Sequence, residues 1–145
     1  VLPGFLAGLR PRSAVTARGE ELLEHMGIAE LATSGVTEVS GGQLQRAGIC
    51  RALINDPGIV FADEPTGALN SATALQILDL LGEIHTSGTT LVMVTHDSQV
   101  AARADRVLVL VDGQITEDLL LGRYEEAEGP SRLATVTEAL QRHSV

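Results

Sequence analysis

The chain has 145 residues, 44% apolar and 20% charged, with ten arginines, no lysine and a formal net charge of −9. That length supports one domain with a real core, while the acidic balance and only three aromatic rings (Phe5, Phe61, Tyr124) argue against a nucleic-acid partner. Without lysine, a Schiff base or a phosphate loop ending in GK[ST] is excluded within these residues, and no apolar run approaches the roughly 20 residues of a membrane helix.

Residues 1–9 are apolar and are followed, not preceded, by Arg10 and Arg12, the reverse of a secretory leader. A single cysteine, Cys50, fits a reducing compartment, and the chain reads as cytoplasmic. Residues 13–26 predict a charged amphipathic helix with Leu22, Leu23 and Met26 on one side and Gly27 as its stop. A small-residue connection over 29–38 leads to Ser40-Gly41-Gly42-Gln43, then a helix ended by Asn55-Asp56-Pro57. Residues 58–62 are continuously apolar and predict a strand buried on both faces, closed by Asp63-Glu64-Pro65. Ser71 is placed to cap a helix through about residue 85, after which 90–94 predict a second strand delivering Thr95-His96-Asp97. That order is a βαβ unit, with its functional groups at the strand carboxyl ends. A short helix over 98–104, a strand over 106–111, an Asp112-Gly113 hairpin turn and a return strand over 114–117 follow. The segment from Leu119 is acidic and predicts one helix near 132–142.

Ser40-Gly41-Gly42-Gln43 offers a hydroxyl and backbone N–H groups at a helix start, the makings of an anion site, or else a glycine-rich turn that merely begins a helix. Asp63 and Glu64 point opposite ways on an extended chain. One carboxylate is thus suited to a metal-bound water and its neighbour to orienting or deprotonating an attacking water; the plainer reading is a solvated strand end. His96 ends the neighbouring strand, where it could hydrogen-bond a terminal phosphate. His25, His85 and His143 read as structural hydrogen-bonders, and Cys50, Met26 and Met93 as packing.

In combination these residues resemble the second half of the nucleotide-binding domain of ABC transporters. The matching motifs are Val39-Ser40-Gly41-Gly42-Gln43 with Leu44-Gln45-Arg46 (signature), 59–64 (Walker B and catalytic Glu), Gly67-Ala68-Leu69-Asn70 (D-loop) and His96 (switch His). The wording from Asp63 to Ser71 is most similar to ATPases of antimicrobial-peptide, macrolide and lipoprotein exporters. Val39 stands where the family usually has Leu, and Asn70 where it usually has Asp. The family's adenine-stacking aromatic, Walker A loop and Q-loop are not among these residues, so the chain reads as amino-terminally truncated.

The resemblance implies an α/β fold: part of a P-loop NTPase (RecA-like) parallel sheet lacking its Walker A strand, with part of the ABC helical subdomain. It divides the chain into a helical signature portion (1–57), the end of the RecA-like core (58–118) and an acidic tail (119–145). ATP and Mg²⁺ are the implied cofactors. Ser40, Gly41, Gly42 and Gln43 would touch ATP held by a second nucleotide-binding domain in a head-to-tail dimer, which the D-loop residues Ala68, Leu69 and Asn70 would also contact. Asp63 would hold Mg²⁺ through water, with Glu64 and His96 catalytic. A separate transmembrane permease is the implied partner, placing the chain at the inner face of the cell membrane. Two alternatives carry the same signature: a catalytically dead partner that donates only Ser40 to Gln43, and a soluble ABC ATPase of DNA repair or translation, disfavoured by the charge of −9. Glu64 without a cradle for the phosphates has no held substrate to act on. The 145 residues alone are therefore expected neither to bind ATP tightly nor to hydrolyse it. Titration with a fluorescent ATP analogue and Mg²⁺ checks this, and low-micromolar binding contradicts it.

Overall fold

Helical spacing of apolar residues builds the first of two compact units, Val1–Met93, in a computed structural model that describes residues 2–8, 10–35 and 39–143. Helix α1 (Leu2–Ala7) lies across α2 (Arg12–His25) at Gly4, where a Cβ would come within 2.6 Å of Val15 Cγ1. A 3-10 turn (Ala29–Thr33) occupies the start of the small-residue connection, whose residues 36–38 lie outside those described. Helix α3 (Gly41–Leu53) leads into strand β1 (Ile59–Asp63), α4 (Ser71–Thr86) and β2 (Thr90–Val94). Strands β1 and β2 are neighbours in a parallel sheet, joined through α4 as the βαβ pattern requires.

The core of this unit sits among the helices: Val15, Leu22, Met26, Ile28, Cys50, Leu53, Ile77, Leu81 and Ile84 are buried together. Burial pushes the Cys50 thiol up, as suits a packing residue. Val60, Leu91 and Met93 of the strands pack against this core. The expectation that β1 is buried on both faces is corrected by its alternating burial. Helices cover one face only among the described residues, so period-2 geometry turns Ile59 and Phe61 outward, with Phe61 78% exposed. A continuous apolar run is read equally from a strand buried on one face or on both, and does not say which.

The second unit, Val94–Val145, begins with the one-turn helix α5 (Ser98–Ala101), shorter than its sequence suggests, and continues into β3 (Arg106–Val111) and β4 (Gln114–Leu120). Asp112 and Gly113 turn the hairpin at φ 50° and 76°, as an Asp-Gly pair favours. The return strand outlasts its predicted end because a register shift after Val109 pairs Val109 with Glu117 but Leu110 with Ile115. The intervening Thr116 forms the bulge and donates its hydroxyl to the Val109 carbonyl at 3.2 Å. Arg106 reaches diagonally to Asp118 with two bonds of 2.8 and 2.7 Å and holds that carboxyl below its usual range.

Helix α6 (Gly129–His143) is longer than its predicted core and packs on the hairpin. Its last turn grips Glu117: Arg142 donates two 2.8 Å bonds, and His143 Nε2 lies 3.0 Å from Oε1. The Arg142 guanidinium above all, with His143, pulls the Glu117 carboxyl down to about 2. Because the folded state holds the carboxylate more strongly than the unfolded one, this clasp is intact above the ordinary carboxylate range and is lost as pH falls through about 2. Carbon-detected titration of Glu117 should therefore show a midpoint far below the other glutamates, and Arg142→Ala should return it toward their range.

Candidate functional site

The start of α3 is shaped by a reciprocal cap. Ser40 is extended at φ −72° and ψ 162°; its Oγ accepts from the Gln43 amide at 3.3 Å, while Gln43 Oε1 accepts from the Ser40 amide at 2.8 Å. This consumes two donors and leaves the first-turn amides of Gly41 and Gly42 without an acceptor among the described residues. The Ser40 hydroxyl keeps its own proton to donate. Two amides and a hydroxyl at an exposed helix start, with the helix dipole behind them, suit an anion. The helix begins at Gly41, three residues before the predicted LQR run, because the cap lies within the glycine motif itself.

Gly41 and Gly42 do different things. A Cβ on Gly41 would reach Leu69 Cδ2 at 3.8 Å, an ordinary contact, which brings the signature start beside the segment 68–70. A Cβ on Gly42 would lie 2.6 Å from Thr73 Cγ2. The space that sequence reasoning gives to a phosphate is, at Gly42, taken by the first turn of α4. That turn is capped by Asn70, whose Oδ1 accepts from the Thr73 amide at 3.0 Å. The predicted Ser71 cap is thus corrected by one residue: Asn70 has the extended φ of −69° and ψ of 158° that a cap needs, and Ser71 is already helical. Ala68 is exposed and Leu69 half-buried in the same segment.

Arg46, quoted in the signature wording, joins three helices. It donates to the Met26 carbonyl at the end of α2 and to Gln76 Oε1 on α4, both at 2.9 Å. Sequence reasoning missed this role; the only available signal was an arginine one turn into a helix that should bury its apolar side.

Asp63 closes β1 on its open face and is exposed. Glu64 follows at φ +44°, a left-handed conformation that bulky L-residues avoid, and its carbonyl accepts from the Gly67 amide at 3.2 Å. Pro65 and Thr66 behind it are buried, so the turn is held from below. His96 belongs to the second unit: it is exposed, between Thr95 and the α5 cap Asp97. The first unit thus gathers Ser40, Gly41, Gly42 and Gln43 with Ala68, Leu69 and Asn70, and carries Asp63 and Glu64. The remaining histidines behave as structural groups: His85 Nδ1 lies 3.2 Å from the Thr89 carbonyl, and His25 pairs with Glu83 at 3.9 Å.

A family model described as ABC transporter matches residues 7–67, from the end of α1 to the turn after Glu64. The macrolide export ATP-binding/permease protein MacB of Rhodospirillum rubrum is 46% identical over 117 residues, which is 81% of this chain and 18% of that protein. MacB of Hyphomonas neptunium is 41% identical over 152 residues, 97% of this chain and 23% of its own length. Over the residues matched, the chain is similar to the ATP-binding part of ABC transporters. Its fold agrees: the dimeric bacterial ABC transporter cassette MJ0796 superposes with a TM-score of 0.72 at 36% identity, over 85% of this chain and 55% of that one. The ADP form of the cassette MJ1267 gives 0.73 at 25% identity, over 92% and 52%. The α/β arrangement is part of a P-loop NTPase fold. The chain spans about a fifth of the length of the curated relatives it matches and about half that of the solved cassettes.

The contrast between Gly42 and Gly48 of the same helix gives a controlled test. Gly48 has nothing within 4 Å of a built Cβ, so Gly48→Ala should stabilise by about 0.5–1 kcal/mol through helix propensity. Gly42→Ala meets Thr73 and should lose about 1–3 kcal/mol from overpacking, outweighing that gain. Urea midpoints of the two variants, with Thr73→Ser restoring much of the Gly42→Ala loss, check the assignment.

Proposed function

We propose that this chain is the signature-bearing part of the ATP-hydrolysing subunit of an ABC exporter, working with a membrane permease. The observation that carries the reading is the capped start of α3, where the cap leaves the Gly41 and Gly42 amides and the Ser40 hydroxyl proton available and Gly41 lies beside Leu69 of the D-loop segment. Ser40, Gly41, Gly42 and Gln43 would bind the γ-phosphate of ATP held by a second nucleotide-binding domain. The amides and hydroxyl donate to its oxygens, with Gln43 holding the cap that aims them. Ala68, Leu69 and Asn70 would meet the same neighbour.

On this chain's own side, Asp63 would orient a water bound to Mg²⁺, and Glu64 would accept a proton from the attacking water. His96 would donate to the γ-phosphate. No group of three or more His, Cys, Asp or Glu among the described residues could hold a metal. A single exposed carboxylate at a strand end such as Asp63 does fit Mg²⁺, which commonly takes one or two carboxylates with substrate phosphates and water. When bound, the ion would neutralise charge on the transferring phosphoryl group. The positive φ of Glu64 supports its assignment, since a bulky residue keeps that conformation only where its surroundings over-determine it. Exporter function and the permease partner rest on the relatives, whose names join ATP-binding and permease.

Size-exclusion chromatography of the chain mixed with an intact ABC nucleotide-binding domain, its catalytic Glu replaced by Gln to retain ATP, tests the trans role. Co-elution that requires ATP and is lost in Ser40→Arg is the expected result. No co-elution, or co-elution indifferent to ATP, overturns it.

A further inference from the structure

The mechanism leaves unused the most heavily bonded side chain of the second unit. Arg132, on α6, is 5% exposed, and its guanidinium spends all five N–H groups on backbone carbonyls. Nε donates to Ala102 (2.9 Å), Nη1 to Leu121 (3.0 Å) and Arg123 (3.2 Å), and Nη2 to Ala104 (2.7 Å) and Gly122 (3.0 Å). The guanidinium also lies over the Tyr124 ring at 5.5 Å, and Glu128 sits 3.8 Å from Nη1. A buried cation matched this fully by carbonyl dipoles is a geometric clamp that lysine, with three donors and no plane, reproduces only in part.

Two of its acceptors, Ala102 and Ala104, are the carbonyls leaving α5. A one-turn helix has too few internal bonds to persist alone. Here α5 is held at its start by Asp97, whose Oδ1 accepts from the Gln99 amide at 2.8 Å, and at its end by Arg132. Thr95 Oγ1 accepts from the Asp97 amide at 3.1 Å, so the residues on both sides of His96 are tied to α5, and α5 is tied to α6.

We propose that Arg132 is a positioning residue for His96: by clamping the end of α5 it sets the backbone from which His96 projects, making the acidic carboxyl-terminal segment part of the phosphate-sensing apparatus. The inference rests on the role given above to His96. In the 145-residue chain, NMR amide exchange and the His96 Cε1–Hε1 signal are compared between wild type, Arg132→Ala and Arg132→Lys. Arg132→Ala should raise exchange over residues 98–102 by about tenfold or more, leaving the β3–β4 amides and the first unit unchanged. The His96 signal should shift or broaden while those of His25 and His85 hold, and Arg132→Lys should recover part of both effects. If Arg132→Ala unfolds the unit, the lysine variant decides, and a change confined to 98–102 and His96 supports the proposal. Unchanged exchange and an unchanged His96 signal in Arg132→Ala, or a uniform rise across residues 94–143 in the lysine variant, overturns it. Failure of ATP-dependent association would sink the nucleotide reading while leaving this result intact.

Discussion

The approach of two helix starts is the constraint on which the rest of the candidate site depends. Helix α3 can begin where it does only because Gly42 lacks the side chain that Thr73 of α4 would strike. The same approach sets Leu69 against Gly41 and fixes the segment 68–70 beside the start of α3. Each start carries its own cap, Ser40 with Gln43 and Asn70 with the Thr73 amide, so neither leans on the other for its backbone bonds. Capping contributes about 1 kcal/mol per site and overpacking would cost about 1–3, so the packing requirement, more than the hydrogen bonds, dictates glycine.

Arginine holds each unit together by reaching carbonyls at helix ends. Arg46 takes the carbonyl of Met26, the residue that caps the end of α2, and Arg132 takes those leaving α5. These bonds place a fixed cation against the negative end of a helix, where it interacts more strongly than an exposed ion pair. Exposed pairs such as Arg18 with Asp56 add about 0–1 kcal/mol and do not set the architecture. A chain with ten arginines and no lysine can use every cation as a planar, multiply bonded clamp.

Phosphoryl transfer requires donors and carboxylates held in fixed positions, and the fold supplies rigidity both to the helix start at Ser40 and to the strand end at Asp63. Glu64 sits in a left-handed turn over buried Pro65 and Thr66, so its position follows from backbone packing. His96, in the other unit, stands just before the cap of a one-turn helix braced at both ends. Chemistry that depends on positioning needs such braces, because an ångström of slack at a donor is costly.

The sequence by itself determined the order of the longer helices and the strands from α2 onward, the βαβ unit, the hairpin turn and the motif residues, though not α1 or the 3-10 turns, since apolar periodicity, glycine and proline stops and the spacing of SGGQ, Asp-Glu-Pro and His96 are local properties of the chain. Only the tertiary structure decided that Gly42 is a packing glycine, that Asn70 and not Ser71 caps α4, that Phe61 faces outward, and that Arg46 and Arg132 are clamps. All but the Asn70 cap, a local bond to the Thr73 amide, depend on what lies across from a residue in space. Neither spacing nor composition carries that, because the partners, Thr73 for Gly42 or Ala102 for Arg132, are about 30 residues away along the chain.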